Sequence, residues 1–339
     1  MPARNKPPVK IGLFSVLTAT ALLAGCAVGP DYLRPDSTLP DQYSQAEAQP
    51  AARAEAPVNP EWWTLFGDAS LNALVAQALD ANQDLQAAIA RLEAADAYAR
   101  EINSAYYPTV NLDAASSRLG TSGTTYNGQK MGGAVYNNRR AALSLSYEID
   151  LWGRIRRMNE AAGADALASR FASDSVRLSL IGQVASEYLI LRSHDAEVAV
   201  SQETVTSRQE TLRIVKARLD AGSASALELA QAENSLAAAQ SQLSQLKRLR
   251  GLSESQIGLL TGQPGLQIPV NLTPLPLPPV PPPGLPSNLL AARPDVRQAE
   301  EKLIAANARI GVAKAAYFPA ISLTGNYGSE SMALSSLFT

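Results

Sequence analysis

All 22 prolines of this 339-residue chain lie at or before Pro108, or at or after Pro264. Residues 109–263 therefore lack the residue that most strongly breaks a helix. Arg154 to about Leu219 is rich in Ala, Leu, Arg, Glu and Gln and reads as one helix. At 1.5 Å per residue it would run roughly 100 Å, longer than a globular domain is wide. The segment Asp220-Ala221-Gly222-Ser223-Ala224-Ser225 interrupts it. Gly222 can take the left-handed conformation that ends a helix, and Ser223 or Ser225 can cap the next. The second helix extends to about Leu260 and closes at Gly262. Two long antiparallel helices joined by a tight turn make a coiled-coil hairpin over 154–262, and abundant Ala lets them pack closely.

The chain also repeats itself. Ala105-Tyr106-Tyr107-Pro108 recurs as Ala316-Tyr317-Phe318-Pro319, an offset of 211 (319 minus 108). At that offset, without a gap, Asp84 meets Asp295, Leu92 meets Leu303, Ala94-Ala95 meets Ala305-Ala306, and Ala97 meets Ala308. Each copy predicts an Ala-rich helix, an aromatic-Pro corner and an alternating strand, as duplication would leave. The predicted order is an extended segment over 26–60, a first repeat over 61–262, a Pro-rich connector over 263–286 and an incomplete second repeat over 287–339. The first repeat holds a helix over 68–104, strands over 109–117 and 141–151, and the long hairpin. The second holds a helix over 287–315, opened by Pro286 and an N-cap at Ser287, and a strand over 320–328.

In the first strand Val110, Leu112 and Ala114 alternate with Asn111, Asp113 and Ala115. A Gly/Thr/Asn-rich stretch from Gly120 to Asn138 reads as a polar loop. The second strand sets Leu143, Leu145, Tyr147, Ile149 and Leu151 on one face, and Ser144, Ser146, Glu148 and Asp150 on the other. Strands of this length with apolar and polar faces suit a transmembrane barrel, and a soluble hairpin with one buried face gives the same alternation. Trp152, followed by Arg154, Arg156 and Arg157, fits an aromatic at a membrane-water interface. It equally fits a residue packing a strand-to-helix corner. Glu148 and Asp150 could line a lumen, with capping of the following helix as the other role for Asp150.

At the start of the chain, Arg4, Lys6 and Lys10 precede a short apolar run, Ile11 to Leu23, and then Leu23-Ala24-Gly25-Cys26. About 13 mostly apolar residues fall short of a spanning helix, so residues 1–25 read as a secretory signal. The last four residues resemble a lipobox, which would make Cys26 a lipidation site; the alternative is an ordinary signal peptide with an incidental cysteine nearby. By analogy with bacterial lipoproteins, Ala27 in the next position, in place of an inner-membrane-retaining Asp, implies outer-membrane sorting. Cleavage would remove three of 29 basic residues and none of 31 acidic ones, changing the formal charge from -2 to -5. One Cys and one His exclude an intrachain disulfide and a Cys/His zinc site. The charge offers no footprint for nucleic acid. No nucleophile-base pair or phosphate loop is visible; neither cofactor nor metal is expected, and the chain does not read as an enzyme. His194 lies mid-helix without a recognisable partner, and Trp62, Trp63 and Phe66 read as packing residues.

Taken in order, Cys26-Ala27-Val28-Gly29-Pro30-Asp31-Tyr32 with Pro35, Trp62-Trp63 with Phe66 and Asp68, and Tyr106-Tyr107-Pro108 resemble the TolC-like outer membrane factor family. So do Glu148-Ile149-Asp150-Leu151-Trp152-Gly153, Gly284 to Leu290 with Arg293-Pro294-Asp295-Val296, and Tyr317-Phe318-Pro319. The resemblance is to its lipoprotein branch, of NodT type, and covers essentially the whole chain. It implies an α+β membrane protein: a homotrimer with long α-helical coiled-coil hairpins forming a periplasmic tunnel and strands forming one transmembrane β-barrel. It further implies a lipid-anchored exit duct in the outer membrane of a Gram-negative cell. Such a duct serves multidrug efflux with a periplasmic adaptor and an inner-membrane pump of the RND type. By the same resemblance, the turn at Arg218, Leu219, Gly222 and Ser223 would meet the adaptor.

Two alternatives remain at the level of sequence. One is a related duct for type I protein secretion or metal-ion efflux; the other is a lipid-anchored coiled-coil scaffold without a pore. Applying the offset, a second Trp152-like corner is expected near 363 and the end of a second hairpin near 473. The repeat thus leads one to expect a gene of about 470 residues or more.

Overall fold

The computed structural model describes residues 27–35, 61–124, 133–274 and 292–338. The expected signal peptide, Cys26, most of the 26–60 segment, much of the Pro-rich connector and the expected cap at Ser287 lie outside the described residues. In chain order the elements are a 3-10 turn (Trp62–Phe66), α1 (Ala69–Ala81), α2 (Gln83–Asn103), β1 (Thr109–Gly120) and β2 (Val135–Ile149). There follow α3 (Arg154–Asp220), α4 (Ala226–Leu260), α5 (Pro294–Ala315) and β3 (Ile321–Ser331). The duplication is visible in the element bounds: α2 and α5, and β1 and β3, begin one offset apart to within a residue.

Two expected boundaries are corrected. The single helix over 68–104 is two helices, because Asn82 leaves helical geometry with φ -69° and ψ 124°. Its Oδ1 accepts hydrogen bonds from the backbone N–H of Asp84 and Leu85, each at 3.0 Å, and so caps α2 from within the run. Its Nδ2 donates to the Leu260 carbonyl at 3.0 Å. The strands are also longer toward the loop than expected. Tyr136, Asn137 and Asn138, read as loop, continue the ladder opposite Leu119, Arg118 and Ser117. A polar run at a strand end can pair as well as an apolar one, since the backbone makes the bonds. At its other end β2 stops at Ile149, because Asp150 is taken up by the next helix.

The chain divides into two compact units. The first comprises Met1–Asp36, Glu93–Ala168 and Ala299–Thr339. Its centre is an antiparallel sheet in the order β1-β2-β3. The strap Ala27–Pro35 is tied down in four places: Val28 N–H donates to the Trp152 carbonyl at 3.0 Å, and Asn307 Nδ2 to the Pro30 carbonyl at 2.9 Å. Arg157 pairs with Asp31 at 2.6 Å and Arg34 with Glu300 at 2.8 Å.

The second unit comprises Ser37–Leu92 and Ser169–Gln298. It holds the main apolar core, in which Leu71, Val75 and Ala78 of α1 meet Val184, Tyr188 and Leu191 of α3 and Ile257 of α4. Trp63 is buried against this core; the Trp62 ring lies edge-on to Trp63 at 6.3 Å and to Phe66 at 6.5 Å between centroids. Among the described residues, no helix is long and apolar enough to cross a membrane.

Candidate functional site

The sheet separates its residues by chemistry. In antiparallel register, paired residues share a face. One face carries Thr109, Asn111 and Asp113 with their partners Ser146, Ser144 and Ala142, and continues through Thr324, Asn326 and Gly328 of β3. Ser144 Oγ donates to Asp113 at 2.9 Å across this face. The opposite face carries Val110 and Leu112, paired with Leu145 and Leu143, and then Ile321, Leu323 and Tyr327. Val110, Leu112, Leu143, Leu323 and Tyr327 are exposed. An open apolar sheet face beside a polar one is the arrangement that separates lipid from water in a barrel wall.

Below the apolar face lies the corner predicted to hold Glu148, Asp150 and Trp152. Asp150 caps α3 with both oxygens, accepting from Ile155 N–H at 3.1 Å and Arg156 N–H at 2.9 Å. Glu148 accepts a fork from Arg154, with Nε at 2.8 Å and Nη2 at 2.6 Å. That hydrogen-bonded pairing, offset in part by burial, raises the Arg154 pKa above its ordinary value. Trp152 stacks on Phe318 at 4.6 Å between centroids, and its indole N–H donates to the Pro319 carbonyl at 3.0 Å. The aromatic-Pro motif of the second repeat is thus the seat for the tryptophan of the first. Gly153 makes the bend with φ 78°.

At the far end of the hairpin, Arg218, Leu219, Gly222 and Ser223 form a single hydrogen-bonded turn. Gly222 takes φ 78°; its N–H donates to the Leu219 carbonyl and Ser223 N–H to the Arg218 carbonyl, both at 2.8 Å. These are the two bonds of a Schellman end. Arg218 Nη2 reaches back to the Ser223 carbonyl at 3.2 Å. Ser225 is the cap of α4, accepting from Glu228 N–H at 3.2 Å. Gly262 ends α4 by the same pattern, with φ 67° and bonds from Gly262 N–H to Leu259 O and Gln263 N–H to Gly258 O.

One constellation was not foreseen. In the second unit, the partly buried Asp68 accepts from Tyr188 Oη at 2.8 Å and Arg192 Nη1 at 2.8 Å, besides capping α1 through Ser70 and Leu71. Burial acts to raise the Asp68 pKa; the hydrogen bonds from Tyr188, Leu71 and Ser70 and the charge of Arg192 outweigh it, so the net shift is downward. Arg192 also donates to the backbone carbonyls of Asn271, at 2.9 Å, and Thr273. Beside it Asp195, 1% exposed, accepts from Arg250 at 2.6 Å, and Arg250 donates to the Ile268 carbonyl at 2.6 Å. Arg192, which is buried, and Arg250, which is partly buried, thus clamp the segment after the hairpin. His194 has a partner after all, Glu197 Oε2 at 3.2 Å. No group of His, Cys, Asp and Glu among the described residues could hold a metal ion.

The family described as "Outer membrane efflux protein" matches residues 74–263 and 285–339. The chain is 32% identical over 335 residues to the cation efflux system protein CusC of Escherichia coli, covering 98% of this chain and 70% of that protein. It is 34% identical over 332 residues to the toluene efflux pump outer membrane protein TtgC of Pseudomonas putida, covering 96% and 68%. Among solved structures it matches the outer-membrane channel OprN with a TM-score of 0.79 and 32% identity, over 93% of this chain and 70% of that one. The two-faced sheet and the long hairpin are therefore those of a known architecture, and the chain belongs to the outer membrane efflux protein family with the TolC-like fold.

Proposed function

We propose that this protein is the outer-membrane exit duct of a tripartite multidrug efflux system, exporting small molecules passively through a water-filled lumen. The observation that carries the reading is the two-faced sheet, its apolar face open and its polar face lined by Thr, Asn, Asp and Ser. Among the described residues the outer strands β1 and β3 each have one unpaired edge, and open edges are not tolerated in lipid. Further strands from identical chains close the barrel, and the likeness to its family supports a homotrimer. The long hairpin forms the periplasmic tunnel. Its exposed turn at Arg218, Leu219, Gly222 and Ser223 meets a periplasmic adaptor, which joins it to an inner-membrane pump of the RND type. The chain acts as a conduit and not as an enzyme.

Cys26 carries the lipid anchor. Support comes from the neighbouring strap, where Val28 is hydrogen-bonded to Trp152 at the corner below the apolar face. On this reading Glu148 and Asp150 shape the base of the barrel as an arginine acceptor and a helix cap, and Trp152 stands at the membrane-water interface.

The test is single-channel recording of the purified protein in planar bilayers. Discrete conductance steps are expected, and a protein that binds membranes without conducting would be a scaffold instead. A second reading, metal-ion efflux, draws on the likeness to CusC. Deleting the gene separates the two: drug sensitivity supports the first, and sensitivity to metal cations alone supports the second.

A further inference from the structure

The face of the sheet that carries Val110, Leu112, Leu143 and Leu145 has only two charged residues along all three described strands, and both are arginines. Arg118 of β1 lies opposite Asn137, and Arg139 of β2 lies opposite Ser116 and Ser331, so the two are diagonal neighbours on one face. Diagonal neighbours are typically about 7–8 Å apart. No carboxylate shares this face on the described strands. The polar face differs: there Arg140 stands opposite Glu330 in register. Arg139 Nη1 donates to the Met332 carbonyl at 3.1 Å, which holds that guanidinium at the strand end and leaves its other donors available.

Height along the strand fixes what surrounds this pair. From Ile149 to Arg139 β2 runs ten residues without a break in register. That is roughly 33 Å along the strand, or about 25 Å of membrane at a ~40° tilt, the height of a barrel's apolar band. With Trp152 at one boundary, Arg139 and Arg118 reach the other. An arginine on the lipid face costs about 2–4 kcal/mol at the midplane but little near the head groups. Two like charges side by side without a counter-ion repel, and a phosphate accepting from both guanidinium forks removes the repulsion.

We infer that Arg118 and Arg139 form a binding site on the outer wall of the barrel for a phosphate of the outer-leaflet glycolipid. The inference rests on the barrel proposed for this sheet. Its chemistry is that of a phosphomonoester held by two guanidinium groups over a sugar head, with acyl chains on Leu112, Leu143 and Tyr327.

The test measures lipid retained by the purified protein after incubation with lipid A, or with chemically dephosphorylated lipid A, and washing. Conductance is recorded on the same samples. The wild-type protein is expected to retain about tenfold more of the phosphorylated form, a charge-assisted contact's typical effect. The double variant R118Q/R139Q should fall to the dephosphorylated level, and R140Q, on the other face, should not change. Equal retention of the two glycolipids, or undiminished retention by R118Q/R139Q, overturns the inference. Should the double variant fail to insert, the wild-type comparison decides alone. Conductance without phosphate preference sinks this inference only; absence of conductance in the wild type sinks the barrel reading with it.

Discussion

Gly29 and Gly311 meet backbone to backbone: a Cβ on Gly29 would stand 2.5 Å from the Gly311 Cα, and one on Gly311 would stand 2.7 Å from the Val28 carbonyl oxygen. Gly29 also holds φ 118°, a conformation that side-chain-bearing residues rarely adopt. The strap after Cys26 can lie on α5 only because both positions lack a side chain. Gly311→Ala is expected to push the strap away and cost about 1–3 kcal/mol by overpacking. Hydrogen exchange is the check: Ala27–Pro35 should exchange faster in the variant, with the sheet unchanged.

The buried carboxylate of Asp195 predicts a contrast. Arg250→Ala leaves the Asp195 carboxylate buried without its ion partner and is expected to destabilise the protein by about 3–5 kcal/mol. Arg213→Ala removes an ion pair to Glu210 that stands in solvent and should leave stability unchanged. Denaturant midpoints of the two variants measure this.

Asp68 predicts a pH dependence. Its folded pKa lies below the ordinary aspartate value of 3.8. The contribution to stability is therefore full above that value and is lost as pH falls through the lower folded value. Wild type and Asp68→Asn should differ most near neutrality and converge as pH falls below 3.8. A difference that grows on acidification would contradict the assignment.

Trp152 makes two separable contacts at the corner. Trp152→Phe keeps an aromatic against Phe318 and loses the bond to Pro319, so about 1 kcal/mol is expected. Trp152→Ala also loses the stack and should cost about 3–5 kcal/mol. Heat-induced mobility shift of the folded protein on gels gives the order of the two.

At the hairpin tip, Gly222→Ala forces a side chain into the left-handed region, costing about 1–2 kcal/mol. Arg218→Glu should leave single-channel conductance intact while reducing drug resistance in cells. Loss of both would place Arg218 in folding instead of in adaptor contact.

The repeat, the long hairpin and the alternating strands were legible because each depends on local pattern: an offset, a proline gap, a period of two. The tip was legible for the same reason, since Gly222 and Ser225 are end signals of single helices. Asn82 was a missed local signal, an asparagine with Asp84 in the first turn of α2. The network of Asp68, Tyr188, Arg192, Asp195 and Arg250 was not legible in that way. Its members are scattered along the chain and come together only through packing of α1 and the post-hairpin segment on α3 and α4. Scattered charges in a helical sequence look like solvated faces, and burial alone separates these from Glu210 and Arg213.

Asp150 ends β2 and, through the same carboxylate, begins α3. Residues 150–153 separate the strand from the helix, and this one carboxylate braces that link across the bend at Gly153. Any twist applied to the first turns of α3 is delivered to the strand, and any strain from the bilayer on the strand is delivered to the helix. A conduit built this way keeps its compliance at that corner in the bend at Gly153, between a capped helix end and a paired strand end.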